Sequence, residues 1–277
     1  MSKSIGFIGA GNMGGAIIGG ISGKGLYDEI RIFDKDTAKA GAVAAKYGAS
    51  ACSLEQTASA DVVLLAVKPN VLINVLRDIE SIIRDDVILI SIAAGQNLYM
   101  IDDELQKEYQ IHLTRYPARY GIKVMRAMPN TPALVGEGMT ALSPNWNLEK
   151  DKEAIAEVVK IFECLGRVEI VPESLMDAVT GVSGSSPAYV FMFIEALADA
   201  AVKAGMPRDK SYIFAAQSVL GAAKMVLETG RHPAELKDMV CSPNGTTIEA
   251  VKVLEEKGFR AAVMDAVDAC VKKSESM

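Results

Sequence analysis

A glycine-rich turn near the start of the chain constrains the fold more than any other feature. Residues 4–9, SIGFIG, have the apolar pattern of a buried strand, and a helical pattern begins within the turn GAGNMG at 9–14. A G-x-G-x-x-G turn between a strand and a helix is typical of a dinucleotide site, although a purely structural turn is the alternative. Gly9 permits the tight turn, Gly11 lets the backbone approach a pyrophosphate, and Gly14 lets the helix pack closely on the sheet. The residues predicted to hold the cofactor here are Gly9, Ala10, Gly11, Asn12, Met13 and Gly14.

Apolar runs of strand length recur through the first part of the chain and alternate with helical stretches. The runs are IRIFD (30–34), DVVLLAV (61–67), DVILISI (86–92), IKVMRAM (122–128), GMTALS (138–143) and RVEIV (167–171). Nearly all-apolar runs are typical of central parallel strands that helices cover on both faces. The alternation therefore predicts a doubly wound parallel sheet of the Rossmann type, which we expect to occupy residues 1–172.

The pattern becomes helical throughout after Pro172. The segment 186–205 begins with Pro187 at the first helical position, and 208–230 ends at a glycine, as helices commonly do. We expect 173–277 to form an all-helical domain. Its helices are apolar over wide arcs, which favours burial against a second subunit, and a bundle buried only in its own core is the alternative.

The composition argues against several classes of partner. The net charge is −6 without a run of lysines or arginines, so no nucleic-acid partner is expected. No apolar run approaches the ~20 residues that span a bilayer, and the start MSKSIGFIG enters a strand without a signal peptide. The side chains that most often bind metals lie far apart in the sequence: Cys52, Cys164, Cys241, Cys270, His112 and His232. We expect free thiols, no metal and a cytoplasmic location.

The end of the second strand carries a carboxylate. Asp34 follows the glycine turn by about 20 residues, the position at which an acidic side chain bonds the adenine ribose. A carboxylate there repels a 2′-phosphate, so Asp34 favours NADH slightly over NADPH. Lys35 and Lys39 lie close enough to weaken this preference, and the alternative role for Asp34 is a charge at a helix start.

Three further turns follow buried strands: AVKP at 66–69, IAAG at 92–95 and MPNTP at 128–132. The carboxyl ends of parallel strands form the ligand crevice of an open sheet, so these turns are expected to line the nicotinamide cofactor. Taken alone, Lys68 fits an ordinary exposed lysine equally well. The predicted contacts are Ala66, Val67, Lys68, Pro69, Ala93, Ala94, Gly95 and Asn130.

A second candidate anion-binding turn lies more than 200 residues later, in DMVCSPNGTTIEAV at 238–251. Thr246 followed by Glu249 is the capping-box pattern and predicts a helix that starts near residue 247. Asn244 and Gly245 can both adopt left-handed conformations, so the turn is a candidate nest for a small carboxylate. A capped helix start without a ligand fits the spacing equally well.

The two halves of the chain resemble one family. DAVTGVSGSSPAYVF (177–191) and LKDMVCSPNGTTIEAV (236–251) are similar to pyrroline-5-carboxylate reductase, and so are FIGAGNMG, LLAVKPN, SIAAG and MPNTP. The resemblance covers nearly the whole chain. It implies reduction of Δ1-pyrroline-5-carboxylate to L-proline with NADH or NADPH, the last step of proline biosynthesis. It also implies a Rossmann domain followed by a helical domain that forms homodimers, which many members assemble into decamers.

The resemblance gives the second turn a role in binding the carboxylate of the cyclic imine substrate. Thr247 matches the threonine proposed to bond the imine nitrogen and is the candidate catalytic residue. Glu173 matches a substrate-side carboxylate of the family. The implied substrate-binding residues are Glu173, Ser242, Pro243, Asn244, Gly245, Thr246 and Thr247.

The chain departs from the family pattern at two places. Asn244 stands where the more familiar loop SPGGTT has a glycine, and asparagine tolerates the same backbone conformation. The segment 99–122 before the strand at 122–128 is longer than usual, which bears on the contacts of the turn at 127–131.

Two other classes of protein remain as alternatives. A β-hydroxyacid dehydrogenase opens with a similar glycine turn but needs a lysine on the helix after its glycine-serine loop. Here that helix, 187–205, has Lys203 only at its far end. The other alternative is a cofactor-binding regulatory or scaffold protein.

Overall fold

A computed structural model describes residues 3–111 and 121–276, and its first part builds an eight-stranded sheet in the order β3-β2-β1-β4-β5-β6-β7-β8. The strands are β1 (Ser4–Ile8), β2 (Glu29–Phe33), β3 (Ser50–Ala51), β4 (Val62–Leu65), β5 (Ile88–Ser91), β6 (Lys123–Met128), β7 (Gly138–Pro144) and β8 (Gly166–Ile170). The order from β3 to β6 is the doubly wound order of dinucleotide-binding sheets. The predicted Rossmann-type class is confirmed.

One neighbouring pair departs from the predicted all-parallel sheet. β6 and β7 are antiparallel, with Met128 opposite Ala141, while every other pair is parallel. A parallel return needs a crossover of a dozen or more residues, and the connection 129–137 is shorter than that. It contains a 3₁₀ turn, Thr131–Val135, and reverses the chain.

Helices cover both faces of the sheet, and the alternation of side chains along each strand feeds two separate cores. The helices of this part are α1 (Asn12–Ile21), α2 (Thr37–Tyr47), α3 (Leu54–Ala58), α4 (Pro69–Ile79), α5 (Leu98–Ile111), α6 (Trp146–Glu149) and α7 (Lys152–Glu163). Val62 and Leu64 of β4 pack with α1 and α7, whereas Val63 and Leu65 pack with α4 and α5. The central strands are therefore buried on both sides, as their apolar runs predict.

The remainder of the chain is helical. A 3₁₀ turn, Glu173–Leu175, leads into α8 (Met176–Val179) and a π-helical turn, Thr180–Gly184. The helices that follow are α9 (Ser186–Lys203), α10 (Arg208–Thr229), α11 (Pro233–Val240), α12 (Thr246–Glu256) and α13 (Phe259–Glu275).

The chain divides into two compact units, Met1–Gly184 with Val271–Met277 and Ser185–Cys270. The sequence places the boundary at 172/173 instead. The segment 173–184 groups with the first unit because Met176 is buried against Met128 and Ala141 of the sheet.

One helical segment is longer and more apolar than the sequence pattern predicts. Glu173–Lys203 has a mean hydropathy of 1.2 over its most apolar window, of which 11% is buried within the chain, so length and composition alone would let it cross a membrane. The expectation that no run approaches this length is therefore wrong. Such an apolar surface can be buried either in a lipid bilayer or against another protein subunit.

Candidate active site

The turn after β1 requires glycine at two positions. Gly9 has φ 107°, and a Cβ added to it would lie 2.4 Å from the carbonyl oxygen of Ala66. A Cβ on Gly14 would lie 2.5 Å from the carbonyl oxygen of Gly9 and 3.1 Å from the Ala66 Cβ. The turn, the first helix and the end of β4 are thus packed backbone to backbone, as the fingerprint predicts.

The start of α1 leaves backbone donors available. Gly11 precedes the helix, and no side chain caps the N–H groups of its first turn. A groove of about 820 Å³ begins at Ala10, Gly11 and Asn12 and continues along α1, with Lys39 in its wall. Free N–H groups at the positive end of a helix fit a pyrophosphate.

Asp34 supports the glycine turn directly. Its Oδ2 accepts a hydrogen bond from the Ala10 N–H at 2.8 Å, and its Oδ1 accepts one from the Asp36 N–H at 3.0 Å. Lys39 Nζ lies 3.7 Å from Oδ2. Burial alone would raise the pKa of Asp34, but these two N–H groups and the Lys39 charge outweigh it and hold the pKa below its ordinary value. Asp34 is therefore ionised at the position where its spacing predicts a ribose contact, and that contact remains a prediction.

The turns after β4 and β5 lie at the same edge of the sheet as the glycine turn, because β4 adjoins both β1 and β5. The Ala66 N–H donates to the Ile8 carbonyl at 2.8 Å, which fixes the AVKP turn beside β1. Lys68 is exposed at the start of α4, and Pro69 is the first residue of that helix. In the IAAG turn, Gly95 has φ 71°, a conformation that favours glycine.

Asn130 of the MPNTP turn is held by protein groups. Its Oδ1 accepts the Met139 N–H at 2.9 Å, and its Nδ2 donates to the carbonyl and hydroxyl oxygens of Ser183 at 3.2 and 3.3 Å. These bonds tie the turn after β6 to the π-helical turn at 180–184. The predicted cofactor contact of Asn130 remains a prediction.

Glu173 forms an ion pair that sequence reasoning missed. Its Oε1 accepts hydrogen bonds from Nη1 of Arg126 at 2.7 Å and from the Leu98 N–H at 3.0 Å. The available signal is a single arginine within the otherwise apolar run at 122–128, because such a charge needs a partner when it is buried. The substrate role of Glu173 likewise remains a prediction.

The second turn, in the unit Ser185–Cys270, differs from the predicted capping box. α12 begins at Thr246, the residue before it is Gly245, and no side-chain cap is formed. Thr246 already has helical geometry, so its hydroxyl is not in the cap position, and the predicted capping by Thr246 is wrong. The first N–H groups of α12 are left without a side-chain cap.

The backbone of this turn explains why an asparagine is tolerated in it. Asn244 adopts φ 56°, a left-handed conformation that asparagine reaches more readily than most residues, so a glycine is not needed there. Gly245 has φ −85°, so only one of the two predicted left-handed residues is observed. The Gly245 N–H donates to the Ser242 carbonyl at 3.0 Å, and a Cβ on Gly245 would lie 2.3 Å from the Ser242 Oγ.

The segment 112–120, which is part of the long 99–122 stretch, lies outside the described residues, and so does His112. Within the described ranges, no group of three or more His, Cys, Asp or Glu side chains could hold a metal ion.

Two family models match separate parts of the chain. Residues 4–95 match "NADP oxidoreductase coenzyme F420-dependent", and residues 173–277 match "Pyrroline-5-carboxylate reductase dimerisation". The first match contains the glycine turn, and the second contains the turn at 242–247.

Full-length relatives carry the same family name. The chain is 51% identical to the Escherichia coli (strain K12) pyrroline-5-carboxylate reductase over 100% of this chain and 99% of that protein. A Coxiella burnetii pyrroline-5-carboxylate reductase structure has a TM-score of 0.85 at 34% identity and covers 99% of this chain and 98% of its own. A Plasmodium falciparum pyrroline carboxylate reductase structure with NADP bound has a TM-score of 0.81 at 32% identity, with coverage of 99% and 97%. The chain therefore belongs to the pyrroline-5-carboxylate reductase family.

Proposed function

We propose that this protein reduces Δ1-pyrroline-5-carboxylate to L-proline with a nicotinamide dinucleotide, the last step of proline biosynthesis. The observation that carries the proposal is the 51% identity to a reductase of that name over the whole of this chain. Identity of this extent spans the glycine turn and the second turn together, so it covers both predicted binding regions.

The first unit has the features that a dinucleotide needs. Gly9 and Gly14 pack against the carbonyl oxygens of Ala66 and Gly9, which fixes the turn, and the uncapped start of α1 offers N–H donors to the pyrophosphate. When bound, the cofactor supplies the hydride. The turn 66–69 follows β4, which adjoins β1, and the turn 93–95 follows β5, which adjoins β4, so we assign both turns to the cofactor as well.

We propose that NADH is preferred over NADPH. The ionised Asp34 carboxylate would bond the two ribose hydroxyls of NADH and repel a 2′-phosphate. Lys39 is 3.7 Å from that carboxylate and weakens the repulsion without removing it. The preference is therefore expected to be modest.

The second turn is assigned to the substrate carboxylate. The uncapped N–H groups at the start of α12 and the hydroxyls of Ser242 and Thr246 are neutral donors, which suit a small carboxylate. The helix has a positive dipole end at the same place. Two anion-binding turns are present because a dinucleotide and a carboxylate substrate must meet.

Thr247 is proposed as the catalytic residue that orients the substrate nitrogen. The protonated imine is already electrophilic, so the protein needs to hold it rather than to supply a strong acid. The hydride adds to the imine carbon, the C=N π electrons become the nitrogen lone pair, and the proton on nitrogen remains in the product amine. The protonated nitrogen has no lone pair, so its N–H donates a hydrogen bond to the Thr247 hydroxyl oxygen, and this bond fixes which face of the ring is presented.

We further propose a homodimer formed through the helical domain at 173–277, with 1–172 as the dinucleotide domain. The match of 173–277 to a dimerisation model supports both the boundary and the homo-oligomer. A subunit interface would also cover the apolar helix Glu173–Lys203, so no membrane partner is invoked. A decamer of five dimers follows from the family resemblance, and we propose a cytoplasmic location because the four cysteines are free thiols.

The test measures NADH oxidation by the purified full chain with Δ1-pyrroline-5-carboxylate and, separately, NAD⁺ reduction with 3-hydroxyacids. Turnover with the cyclic imine alone is expected. Turnover with a 3-hydroxyacid alone would support the dehydrogenase alternative, and NADH binding without turnover of either would support a regulatory protein.

A further inference from the structure

A buried arginine lies on the sheet beside the predicted nicotinamide end. Arg126 of β6 has only 4% of its side chain exposed. In the β5–β6 register it adjoins Ser91, the last residue of β5, whose side chain is buried on the same face. The IAAG turn at 92–95 begins at the next residue, so the arginine is placed where β5 ends.

The Glu173 carboxylate connects this arginine to the start of α5, which follows the IAAG turn. Oε1 of Glu173 accepts from Arg126 Nη1 at 2.7 Å and from the Leu98 N–H at 3.0 Å. Leu98 is the first residue of α5, so the carboxylate lies at the positive end of the helix dipole. The other end of the turn is fixed by the Ile92 N–H, which donates to the Leu65 carbonyl at 3.2 Å.

The segment that contains Glu173 is also attached at its other end. Asn130, in the turn after β6, donates to the carbonyl and hydroxyl oxygens of Ser183. Between these points Asp177 accepts a hydrogen bond from the Ser274 hydroxyl at 2.6 Å. The segment 173–184 is therefore fixed to the turns that follow both β5 and β6.

The pair leaves polar atoms without partners. Nε and Nη2 of Arg126 and Oε2 of Glu173 are buried and form no hydrogen bond with the described residues. The arginine is buried and the Glu173 side chain is 31% exposed. An ion pair that buries one charge contributes little net stability, and less when its remaining donors and acceptors are unpaired. Stability therefore gives no reason for an arginine here, whereas fixing the position of the turn does.

We propose that Arg126 and Glu173 are positioning residues for hydride transfer. They hold the IAAG turn and the two residues that connect it to α5, 92–97 in all, at the end of β5. Through this segment they position the nicotinamide end of the cofactor without touching the reacting atoms. This inference rests on the proposed function, and it gives Glu173 an indirect role in place of the substrate contact that the resemblance implies.

The test compares full-length Arg126→Met, Arg126→Lys and Glu173→Gln with the control Lys123→Met. Lys123 lies at the opposite end of β6 and forms an ion pair with Asp151 at 2.7 Å, so the control removes a similar charge from the same strand. Three quantities are measured: amide hydrogen exchange of residues 92–100, the NADH Kd, and kcat per NADH-binding site. Counting sites by NADH titration removes the contribution of unfolded protein.

In Arg126→Met and Glu173→Gln we expect faster exchange in 92–100 and a fall in kcat per site of roughly 10- to 100-fold, the scale of a small misplacement of reacting groups. The NADH Kd should stay within about threefold, because the pyrophosphate turn is untouched. Arg126→Lys keeps the charge and should recover part of kcat, and the control should match the wild type.

Two results would overturn the inference. One is faster exchange with kcat per site retained, which would make the pair structural only. The other is a raised KM for the imine in Glu173→Gln with unchanged exchange, which would make Glu173 a direct substrate ligand. If the wild type fails to turn over the imine, the proposed function is wrong, and the exchange data still decide whether the pair fixes the turn.

Discussion

The two compact units differ in how they bury apolar side chains. The first unit has two continuous cores, one on each face of its sheet. In Ser185–Cys270 the buried apolar residues are Ala198 and Ala215 alone, while large side chains such as Phe191, Met192 and Phe214 are more than 60% exposed. Both units have ample apolar residues, so the difference lies in whether one chain can cover them.

This contrast indicates a division of labour. The first unit completes its own core, so its glycine turn is fixed within a single chain. The helical unit exposes the surface that a subunit interface normally buries, and it is matched by a dimerisation model. We therefore expect the cofactor turn to form in the monomer and the substrate turn to depend on a second copy.

The largest effect is expected from a charge on the exposed apolar surface of α10. Phe214 is 61% exposed in the single chain. If Phe214 is buried between subunits, Phe214→Asp removes about 1.5–3 kcal/mol of apolar burial free energy per copy, or ~3–6 kcal/mol of dimerisation free energy. The dimer Kd should then rise by roughly 10²- to 10⁴-fold.

Sedimentation velocity across a protein dilution series measures this shift. Trp146→Glu is the control, because Trp146 is an exposed aromatic side chain of the first unit and is 70% exposed. An unchanged dimer in Phe214→Asp would place the interface elsewhere.

A smaller effect is expected from the catalytic hydroxyl group. Thr247→Ala removes the hydroxyl oxygen that accepts one hydrogen bond from the charged imine N–H, worth about 1.5–3 kcal/mol. The kcat/KM for the imine should fall roughly 10- to 150-fold with little change in NADH affinity. Thr247→Ser retains the hydroxyl group and should restore most of the activity, and a weakened NADH Kd instead would show that the roles of the two turns are wrongly assigned.

Two adjacent glycines at the end of the glycine turn, Gly14 and the next residue Gly15, give a matched pair of variants. A Cβ on Gly14 meets the Gly9 carbonyl oxygen at 2.5 Å, whereas a Cβ on Gly15 meets nothing within 4 Å. The clash in Gly14→Ala should cost about 1–3 kcal/mol and raise the NADH Kd by roughly 5- to 150-fold. Gly15→Ala should bind NADH like the wild type, and equal behaviour of the two variants in an NADH titration would contradict the packing argument.

The smallest effect concerns the choice of cofactor. Asp34→Asn removes a charge that repels a 2′-phosphate by about 1–2 kcal/mol. The ratio of kcat/KM for NADPH to that for NADH should rise roughly 5- to 30-fold. The control is Asp61→Asn, because Asp61 lies just before β4, at the end of that strand away from the AVKP turn. Burial would raise the pKa of Asp61, but the Ser4 bonds and Arg84 outweigh it, so the pKa is lowered as it is in Asp34. A wild-type kcat/KM for NADPH about tenfold above that for NADH would refute the preference itself.

The sequence predicts the elements whose patterns are local. The glycine turn, the apolar central strands and the helices at 186–203 and 208–229 each carry their own signal in period, glycine or proline. The two-residue strand β3 and the short helix α3 were missed, because neither is long enough to show a period. Yet Ser53 and Gln56 form a capping box at the start of α3, which is a readable signal.

Features that depend on long-range contacts are not predictable in this way. The bond between Glu173 and Leu98 joins residues 75 positions apart, and its Arg126 partner signals only that a charge is buried. The capping box at Thr246 failed because the contact of Gly245 with Ser242 begins the helix one residue earlier. The sequence pattern alone does not show which of the two residues, Gly245 or Thr246, takes the cap position.

The most direct test of the account measures two properties of dissociated Phe214→Asp protein at a concentration where sedimentation shows a monomer. The first is the NADH Kd, and the second is turnover of Δ1-pyrroline-5-carboxylate. The account predicts that NADH binds with the wild-type Kd while turnover is lost, because the first unit has its own core and the helical unit does not. A monomer that turns over the imine at the wild-type rate, or one that loses NADH binding together with turnover, would contradict it.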